Sequence, residues 1–430
     1  MTDVACTVCG CVCDDLVVHV EGERLGDVER ACPLAEPWFA ALRECGAGQH
    51  FLGDRETDFP AAVAAAADIL RRSDAPLIYG LSRSSTAGQR AAVKLADRLG
   101  GVIDTTASVC HGPSIMAIQE AGEATCSLGE VRQRADLVLF WGANPAVSHP
   151  RHLERYSGEP VSEFLPNGRA DRRIVVIDSQ STATAELADE FVQVEAGRDF
   201  ELIWALRLAL RGDWLPAGTW GGVDSKAVRR LASRLVDCRY GVVFFGLGLA
   251  QSRLGHRTVE ALLRLVADLN AQTRFSARRL RIPGDVTGAD SVLCWQTGFA
   301  FGVDLRRGWP RYNPGEYTAN ELLERREVDA ALIIGSESLS GFSPAALYTL
   351  RGLPTIVLDS PHVRPAIDAA VRFTTAVYGV HAAGTAYRMD EIPIPLRALC
   401  ASDLPTDDQV LAALLDALPR RAASAVVHPG

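Results

Sequence analysis

Four cysteines near the start of the chain have the spacing of a metal-binding loop. Cys6, Cys9 and Cys13 follow one another as C-x2-C-x3-C, and Cys32 lies further along the chain. Close spacing lets one loop direct several thiolates at one centre, which a distant fourth thiolate then closes. Four thiolates suit a [4Fe–4S] cluster or a tetrahedral zinc ion, but zinc sites usually combine two close pairs of ligands. The pattern therefore favours a cluster, with zinc and a metal-free site as the alternatives.

The other cysteines of this region are predicted to be structural. Six of the 11 cysteines lie within the first 45 residues, and Cys11 and Cys45 are the two outside the predicted ligand set. Cys11 stands between two predicted ligands and is expected to be a small buried thiol that points elsewhere. Because a reducing compartment keeps thiols free, so dense a group of cysteines indicates metal binding rather than disulfides.

A second candidate site is the sequence Cys110-His111-Gly112-Pro113-Ser114. It follows residues 102–104, which are predicted to end a strand, and its glycine and proline supply an irregular backbone on which neighbouring side chains can face one pocket. A soft thiolate suits tungsten or molybdenum in a dithiolene cofactor, and the adjacent imidazole can move protons. The alternative is a buried cysteine beside a histidine that caps a helix.

Two further polar segments are candidates with open alternatives. His149 and His152 come just after a predicted strand. They could bind a metal if a third ligand joined them, or serve turn and packing roles.

Residues 306–316 combine three arginines with aromatic and turn residues. These guanidinium groups could bind phosphate or a carboxylate, or could form a solvated interface with another protein of a complex.

The elements that must position these residues have the pattern of an α/β protein. Short apolar runs that end in small or acidic residues are predicted strands, at residues 76–80, 135–142, 173–178, 241–246, 328–335 and 353–359. Amphipathic helices are predicted through Leu99 and from His256 to Leu269. Continuous apolar strands that alternate with helices indicate parallel sheets covered on both faces.

The order of these strands predicts an internal duplication. The second half repeats the first strand by strand, with residues 241–246, 328–335 and 353–359 echoing residues 76–80, 135–142 and 173–178. The expected fold class is α/β, with a small N-terminal iron–sulfur domain and two related, doubly wound parallel-sheet lobes. The expected boundaries are residues 1–55, 56–235 with the Cys110 loop, and 236–430.

Cofactor-binding residues are predicted at the ends of these strands. Ligands in such folds bind beyond the carboxyl ends of the strands, where backbone N–H groups can hold the phosphates of a nucleotide-like cofactor. Ordinary turns between strand and helix are the alternative for each loop. The candidate cofactor-binding residues are Ser82, Asn144, Asp178, Gly246, Gly248, Gly335 and Asp359.

The composition is that of an ordinary globular protein. Of the 430 residues, 48% are hydrophobic and 23% are charged, and the formal net charge of −9 argues against nucleic-acid binding. We expect no membrane span, because no run of 18 apolar residues exists, and we expect the cytoplasm, because no secretory or twin-arginine signal begins the chain. Lysine occurs only at positions 94 and 226, which hints at a GC-rich bacterial gene rather than an archaeal one.

The sequence resembles the B subunit of formylmethanofuran dehydrogenase, a family in the molybdopterin oxidoreductase superfamily. Bacterial formyltransferase/hydrolase complexes contain a homologous B subunit. The matching stretches follow one another in order along the chain, at residues 6–15, 110–114, 141–152, 302–304, 307–316 and 384–390.

The resemblance implies roles for the candidate residues. Cys6, Cys9, Cys13 and Cys32 would hold a [4Fe–4S] cluster. Cys110 would ligate tungsten or molybdenum in a bis(pterin guanine dinucleotide) cofactor, His111 would lie beside the metal as a proton carrier, and Arg281 would face the metal. The implied reaction is the reversible two-electron interconversion of CO2 and formate.

The resemblance also implies a hetero-oligomeric complex. The expected partners are an amidohydrolase-like A subunit, a C subunit, and either a D subunit or a formyltransferase, with an iron–sulfur electron carrier if the chain is redox active. The alternative is a redox-inactive structural component of a bacterial formyltransferase/hydrolase complex that releases formate from a formylated carrier of the methanofuran type. The five cysteines at cluster and metal positions favour the redox-active interpretation, and the arginine-rich composition favours the structural one.

Overall fold

The computed structural model describes residues 1–22, 24–44, 48–364 and 366–419, so Cys45 lies outside the described residues. Within these ranges the strands are β1 (Val17–Glu21), β2 (Arg24–Glu29), β3 (His50–Leu52), β4 (Arg55–Thr57), β5 (Pro76–Gly80), β6 (Val102–Thr105), β7 (Leu137–Trp141), β8 (Arg173–Asp178), β9 (Glu190–Gln193), β10 (Thr219–Trp220), β11 (Val223–Asp224), β12 (Tyr240–Phe245), β13 (Arg274–Arg279), β14 (Val303–Asp304), β15 (Arg311–Tyr312), β16 (Ala330–Ile334), β17 (Thr355–Asp359), β18 (Val371–Thr374), β19 (Gly384–Tyr387) and β20 (Pro393–Leu396).

The helices of the same ranges are α1 (Ala35–Glu44), α2 (Phe59–Arg72), α3 (Thr86–Leu99), α4 (Gly112–Ala121), α5 (Leu128–Arg134), α6 (Pro145–Ser148), α7 (Ala183–Glu186), α8 (Asp199–Leu210), α9 (Ser225–Asp237), α10 (Leu247–Ala250), α11 (Gly255–Leu269), α12 (Val286–Thr297), α13 (Ala319–Glu324), α14 (Pro344–Arg351) and α15 (Asp407–Ala417). Several begin where a side chain satisfies an otherwise free N–H group. Asp58, for example, accepts a hydrogen bond from the backbone of Ala61 at the start of α2. No described helix is long and apolar enough to cross a membrane.

Two large sheets form the centre of the molecule. One sheet has five parallel strands in the order β13-β12-β7-β8-β9. The other has nine strands, in the order β15-β14-β6-β5-β16-β17-β18-β3-β4, of which the five from β6 to β18 run parallel. The remaining strands of this sheet pair antiparallel at its two edges. The expected α/β class with parallel-sheet lobes is confirmed, and antiparallel edges are an addition to it.

The two parallel cores have the same strand order, but each is built from both halves of the sequence. In position, β12 corresponds to β5, β7 to β16, and β8 to β17, which are the strand equivalences that the duplication predicts. However, β7 pairs with β12 rather than with β5, and β16 pairs with β5. The strands of the two halves are therefore exchanged between the sheets.

This exchange corrects the expected division into contiguous lobes at residues 56–235 and 236–430. The first half contributes β5 and β6 to one sheet and β7 to β9 to the other. The expected boundary at residue 55 is also displaced, since β3 and β4 extend the nine-stranded sheet by pairing with β18. Apolar runs identify strands, whereas strand pairing depends on contacts between distant segments that the runs do not encode.

Both large sheets are covered on both faces. In the five-stranded sheet, Val138 and Phe140 face one cluster of buried side chains, whereas Leu139 and Trp141 face another. The first of these clusters includes the N-terminal cysteines, which therefore pack directly on the sheet. Separate clusters cover the two faces of the nine-stranded sheet. This burial explains why the strands read as continuous apolar runs.

Candidate active site

Cys110 lies in a tight turn between β6 and α4. The backbone N–H groups of Cys110 and Gly112 both donate to the carbonyl oxygen of Ala107, at 3.0 and 2.6 Å. Helix α4 begins directly after this turn, and Pro113 fits its first turn because the N–H that proline lacks would have no helical partner there. The positive end of a helix dipole favours a thiolate, so this backbone suits a cysteine that binds as an anion.

Arg281 lies beside Cys110 and is only 2% exposed. Its Nη1 atom forms an ion pair with Oδ2 of Asp290 at 2.6 Å. Oγ1 of Thr105 donates to Oδ1 of the same carboxylate at 2.8 Å. The Nε and Nη2 atoms of Arg281 have no hydrogen-bond partner among the described residues. The guanidinium is thus held by one carboxylate and retains buried donors for another group.

Burial and the Arg281 charge act on Cys110 in opposite directions. Burial raises the pKa of the Cys110 thiol, whereas the neighbouring guanidinium lowers it. Burial also raises the pKa of Asp290, and the same guanidinium opposes that rise. Buried titratable groups that perturb one another's pKa values are typical of functional sites.

His111 is buried and bonded at both ring nitrogens. Its Nε2 atom lies 3.1 Å from the carbonyl oxygen of Leu280, and its Nδ1 atom lies 3.1 Å from Oγ of Ser114. A carbonyl oxygen only accepts, so Nε2 carries the proton. Burial lowers the pKa of His111 well below its ordinary value, and the nearby arginines lower it further. The ring is therefore neutral, with its donor committed to the backbone.

His149 has the same pattern of bonds as His111. Its Nε2 atom donates to the carbonyl oxygen of Arg281 at 2.9 Å, and its Nδ1 atom lies 2.9 Å from Oγ of Ser148. Burial lowers the pKa of His149 to about 4. His152 is also buried, with Nδ1 2.8 Å from Oγ of Ser157 and with Nε2 unpartnered among the described residues. Neither ring belongs to a group of metal ligands within the described part of the chain.

A cavity of about 240 Å³ opens beside Cys110 at the carboxyl end of the five-stranded sheet. Predicted site residues from three separate segments meet there. Of the predicted residues, those that line it are Cys110, His111, Asn144, Gly246 and Gly248. The cavity therefore joins the predicted metal ligand to predicted cofactor-binding loops.

Glycines allow two loops to approach each other at this cavity. The N–H of Gly248 donates to the carbonyl oxygen of Gly142 at 3.1 Å. A Cβ atom on Gly246 would lie 2.6 Å from the same oxygen. The loops after β7 and β12 therefore pack backbone against backbone, and any side chain at these glycines would separate them.

A second cavity, of about 50 Å³, lies at the carboxyl end of the nine-stranded sheet. The predicted residues Ser82, Gly335 and Asp359 line it. Two buried acids also line it, and burial raises the pKa of Asp285 to about 8 and that of Asp407 to about 6. The equivalent ends of the two sheets thus each carry a cavity that contains predicted residues.

Asp178 is the one predicted cofactor-binding residue that lines neither of these cavities. It ends β8, and its Oδ1 atom accepts a hydrogen bond from the backbone of Ser179 at 2.7 Å. Its counterpart Asp359, at the end of β17, instead accepts from the backbone and the hydroxyl of Ser336, at 2.7 and 2.6 Å. The two aspartates therefore have different surroundings despite equivalent positions in the sheets.

The N-terminal cysteines form a compact loop. Cys6, Cys9 and Cys13 are buried, and Cys32 is half-buried. The backbone N–H of Cys6 donates to the carbonyl oxygen of Cys13 at 2.8 Å, which closes the loop. Burial raises the pKa of Cys6 strongly, and electrostatic repulsion from the thiols of Cys9, Cys13 and Cys32 adds to the rise. The other three predicted ligands therefore lie close enough to Cys6 for their charges to affect its thiol.

Cys11 is buried as expected, but it does not point away from the predicted ligands. Its thiol is hydrogen bonded to Cys13 and Cys9, which raises the pKa of Cys11. The same contacts lower the pKa of Cys9 and of Cys13. Cys11 therefore lies between two predicted ligands and favours their thiolate forms.

The number and type of these side chains fit a metal centre. Four neighbouring thiols are the ligand set that a [4Fe–4S] cluster takes. Four thiolates also suit a tetrahedral zinc ion, in which each sulfur lies about 2.3 Å from the metal. The chemistry of the four thiols is therefore right for either group.

The cysteine loop packs against the segment that carries Arg281. The N–H of Gly10 donates to the carbonyl oxygen of Arg281 at 3.1 Å. A Cβ atom on Gly10 would clash with that oxygen, and a Cβ atom on Gly284 would clash with the carbonyl oxygen of Thr7. Residues 281–284 therefore join the predicted cluster loop on one side to the Cys110 cavity on the other.

The arginine-rich segment at residues 306–316 is partly committed to an internal contact. Arg306 and Arg311 both form ion pairs with Asp304, the first with its Nε atom at 3.1 Å. The segment contains β15, which pairs with β14 at the edge of the nine-stranded sheet. Neither cavity described above is lined by these arginines.

The sequence does not indicate the acids around the site. Asp290 lies within α12, where an aspartate looks like any solvated helical residue. Asp285 caps the same helix by accepting from the backbone of Gly288, and a capping aspartate is a recognisable signal for a helix start, not for a cavity wall. His149 is predictable only as a possible metal ligand, because its actual partner is a distant backbone carbonyl.

The chain is similar to curated proteins along most of its length. No family model matches it. It is 40% identical over 403 residues to the B subunit of tungsten-containing formylmethanofuran dehydrogenase 2 of Methanocaldococcus jannaschii, covering 92% of each chain. It is 30% identical over 287 residues to the B subunit of the formyltransferase/hydrolase complex of Methylorubrum extorquens, covering 65% of this chain and 72% of that protein.

Solved structures have the same fold. A chain of the formyltransferase/hydrolase complex from Methylorubrum extorquens, in complex with methylofuran, matches with a TM-score of 0.70 and 25% identity, over 85% of this chain and 98% of that chain. Acetylene hydratase from Pelobacter acetylenicus matches with a TM-score of 0.67 and 12% identity, over 97% of this chain and 69% of that chain. The second likeness shows the fold alone.

Proposed function

The chain belongs to the family of formylmethanofuran dehydrogenase B subunits, and from this premise we propose that it interconverts CO2 and formate at a metal-pterin centre bound by Cys110. This centre would be a tungsten or molybdenum bis(pterin guanine dinucleotide). A [4Fe–4S] cluster would be bound by Cys6, Cys9, Cys13 and Cys32. The family membership supports a role within an oxidoreductase, and the chemistry of this chain is inferred from its own residues.

The observation that carries the proposal is the contact between Cys110, which lines a cavity, and the buried guanidinium of Arg281. Arg281 has two nitrogen donors without a partner among the described residues, in a position beside the Cys110 thiol. Leaving buried donors unpaired costs about 1–3 kcal/mol each, so the arrangement is explained best by a group that these donors contact. A site whose only role is scaffolding gains nothing from such a guanidinium.

The positions of the two cavities, rather than their volumes, support a cofactor with two dinucleotide arms. Each lies beyond the carboxyl ends of equivalent strands, where nucleotide-like ligands bind in doubly wound folds. Gly246 and Gly248 leave backbone exposed in the first cavity, and Ser82 and Gly335 line the second. Asp178, which lines neither, is the weakest member of the proposed cofactor-binding set.

The bound metal would supply the two-electron chemistry by which CO2 gains the C–H bond of formate. The residues of the chain would orient the reactants and balance charge. The free N–H groups of Arg281 suit the oxygens of CO2 or formate, since guanidinium binds carboxylate through parallel hydrogen bonds. Asp290 holds the guanidinium from behind. His111 would keep the Leu280 carbonyl in place, and a role in proton transfer would require it to exchange a bond that it now makes.

We further propose that electrons pass between the Cys110 centre and the cysteine loop, with an iron–sulfur protein as the external carrier. Support comes from the contact between Gly10 and Arg281, which makes the two sites neighbours. An amidohydrolase-like A subunit, a C subunit, and a D subunit or a formyltransferase are the proposed partners, since a relative is named as part of such a complex. We expect this assembly to work in the cytoplasm.

The second candidate function is that of a redox-inactive structural component in a formyltransferase/hydrolase complex. The observation in its favour is the structural match to 98% of a chain from such a complex. The higher identity and longer alignment with the tungsten-containing relative favour the redox-active proposal. The described positions of Cys110 and Arg281 favour it as well.

The experiment is the replacement Cys110→Ser in the complex purified anaerobically from its native host. We expect loss of formate–CO2 turnover, because a serine hydroxyl does not replace a soft thiolate ligand. The matched control is Cys294→Ser, at an exposed cysteine outside both cavities, which should retain wild-type turnover. Turnover that survives Cys110→Ser would remove the proposed ligand role, and a wild-type complex without any turnover would favour the structural function.

A further inference from the structure

Two histidines from different loops hold successive carbonyl groups of one segment. His111 follows β6 and donates to the carbonyl oxygen of Leu280 at 3.1 Å. His149 follows β7 and donates to the carbonyl oxygen of Arg281 at 2.9 Å. Each ring is completed by a serine at its Nδ1 atom, at 3.1 and 2.9 Å. The two imidazoles therefore form a clamp on the backbone that carries the guanidinium at Cys110.

The orientation of the His149 ring is fixed by its partners. The carbonyl oxygen of Arg281 only accepts, so the Nε2 atom of His149 carries the proton. The hydroxyl of Ser148 lies 2.9 Å from Nδ1 and 3.1 Å from the carbonyl oxygen of Asn144, and its single proton serves one of these two acceptors at a time. The bond from Nε2 to Arg281 is therefore the fixed one, and rotation of the buried ring would leave that donor unpaired at a cost of about 1–3 kcal/mol.

The carbonyl group that His149 holds also binds the cysteine loop. The N–H of Gly10 reaches the same Arg281 oxygen at 3.1 Å. The carbonyl oxygen of Gly10 in turn accepts from the N–H of Met389 at 2.9 Å. One carbonyl oxygen therefore ties together the wall of the Cys110 cavity, the arginine and the predicted cluster loop.

We propose that His149 is a positioning residue that fixes Arg281 opposite Cys110 and holds the cysteine loop in register with it. The expected effect on turnover rests on the proposed function, whereas the hydrogen bonds of the clamp do not depend on it. His149 also lines the Cys110 cavity, so its ring limits the space into which the Arg281 segment can move. Small displacements of a positioned group are enough to lower catalytic rates by orders of magnitude.

His152 supplies a matched comparison in the same loop. Its ring is equally buried and packs among aromatic side chains, with centroids 5.8 Å from Phe140 and 4.6 Å from Phe244. It makes no hydrogen bond to residues 280–284 among the described residues, and its Nε2 atom is unpartnered. The ring of His152 also packs edge-on against that of His149, with centroids 6.5 Å apart. A variant at His152 therefore reports on lost packing in the loop, and a variant at His149 reports in addition on the lost bond to Arg281.

The test compares His149→Leu, His149→Gln and His152→Leu in the full chain. Hydrogen exchange is measured on peptides that cover residues 6–13 and 280–286. We expect His149→Leu to lose protection in both peptides, because the Arg281 carbonyl loses one of its two donors. His149→Gln keeps an N–H donor and should restore most of the protection. His152→Leu should leave both peptides as in the wild type.

Turnover of the holoenzyme is the second readout. We expect His149→Leu to lower kcat at least about tenfold, as is usual when a group that orients a catalytic residue is removed. His149→Gln should recover most of this loss, and His152→Leu should stay near the wild-type rate. The Michaelis constant should change less than kcat, because the clamp acts on the position of a group that serves the reacting state.

Wild-type protection at residues 280–286 in His149→Leu would overturn the clamp. Equal losses in His149→Leu and His152→Leu would also overturn it, since they would show general loosening of the loop. A normal kcat together with lost protection would overturn the catalytic part of the inference. If the wild-type complex has neither pterin metal nor turnover, the proposed function fails, and the exchange experiment still decides whether His149 holds this segment.

Discussion

Arg281 carries a buried charge whose contacts come from several distant parts of the chain. Asp290 balances it, Cys110 lies beside it, and the carbonyl of the same residue bonds to His149 and to Gly10. The adjacent Cys110 and His111 make that loop a candidate site from sequence, and the family resemblance is what assigns it a role. Nothing in the types of Asp290 or His149 indicates their partners, since these contacts exist only after the sheets have formed.

The ion pair of Arg281 gives a prediction about stability. The change Asp290→Asn leaves the guanidinium buried without a balancing charge, and breaking a buried pair in this way costs about 3–5 kcal/mol. Unfolding in urea should show a loss of this size. The control Glu120→Gln removes an exposed ion pair with Arg257, at 3.6 Å, and should cost less than about 1 kcal/mol. Equal stability of Asp290→Asn and the wild type would mean that the charge is not buried as described.

The buried histidines give a prediction about pH. Burial lowers the pKa of His149 to about 4 and that of His152 to about 3, whereas unfolded histidine titrates near about 6.5. At pH values between the lowered and the ordinary pKa, these two histidines are protonated in the unfolded chain and neutral in the folded protein. The contribution of these two histidines to the free energy of unfolding should therefore be fully retained above about pH 6.5 and fall as the pH drops toward 4.

The change His152→Leu should make that fall shallower. One titrating group contributes at most about 1.4 kcal/mol per pH unit, so the difference in slope between variant and wild type should approach this value. Urea unfolding at several pH values between about 4.5 and 6 measures it, a range that lies below the ordinary histidine pKa and above the lowered one. Identical slopes in the two proteins would contradict the described burial of His152.

At the scale of elements, the strands are predictable from sequence and the packing of the cysteine loop is not. Six apolar runs form β5, β7, β8, β12, β16 and β17, because strands buried on both faces need apolar side chains at every position. The cysteine spacing indicates a loop with several thiols facing one region. It does not indicate that Gly10 must lack a side chain, because the atom that requires this is the carbonyl oxygen of Arg281, far along the chain.

The change Gly10→Ala tests this contact between elements. A Cβ atom at Gly10 would collide with the Arg281 carbonyl, and backbone atoms cannot move aside as easily as side chains. We expect a lower melting temperature and less iron bound per chain in anaerobically purified protein. The control is Gly129→Ala in α5, where the added atom meets only ordinary contacts and a helix gains up to about 1 kcal/mol. Normal iron content in Gly10→Ala would show that the loop does not depend on this contact.

At the scale of the whole molecule, the two halves of the sequence do not fold as two lobes. The duplication is visible in the strand pattern, but the exchange of strands is not, since an apolar run carries no information about its neighbour. The exchange has a functional consequence. Because β7 pairs with β12, Asn144 from the first half and Gly246 from the second half line the same cavity. The Cys110 cavity therefore requires both halves.

Fragments test the exchange directly. Residues 56–235 alone lack β12, which pairs with β7, and β16, which pairs with β5. We expect this fragment to show no cooperative unfolding by circular dichroism. Residues 1–235 and 236–430, produced together, should instead associate and regain a cooperative transition near that of the intact chain. Cooperative unfolding of the isolated fragment 56–235 would contradict the interleaved sheets.

The most direct test of a redox site at Cys110 is the metal content of the protein, purified without oxygen from its native host. We expect roughly one tungsten or molybdenum per chain together with roughly four irons, the expectation for one pterin metal and one [4Fe–4S] cluster. The variant Cys110→Ser should lose the pterin metal and keep the irons, because the two sites use different thiols. A wild-type protein with neither tungsten nor molybdenum would contradict a redox site at Cys110, whatever its iron content.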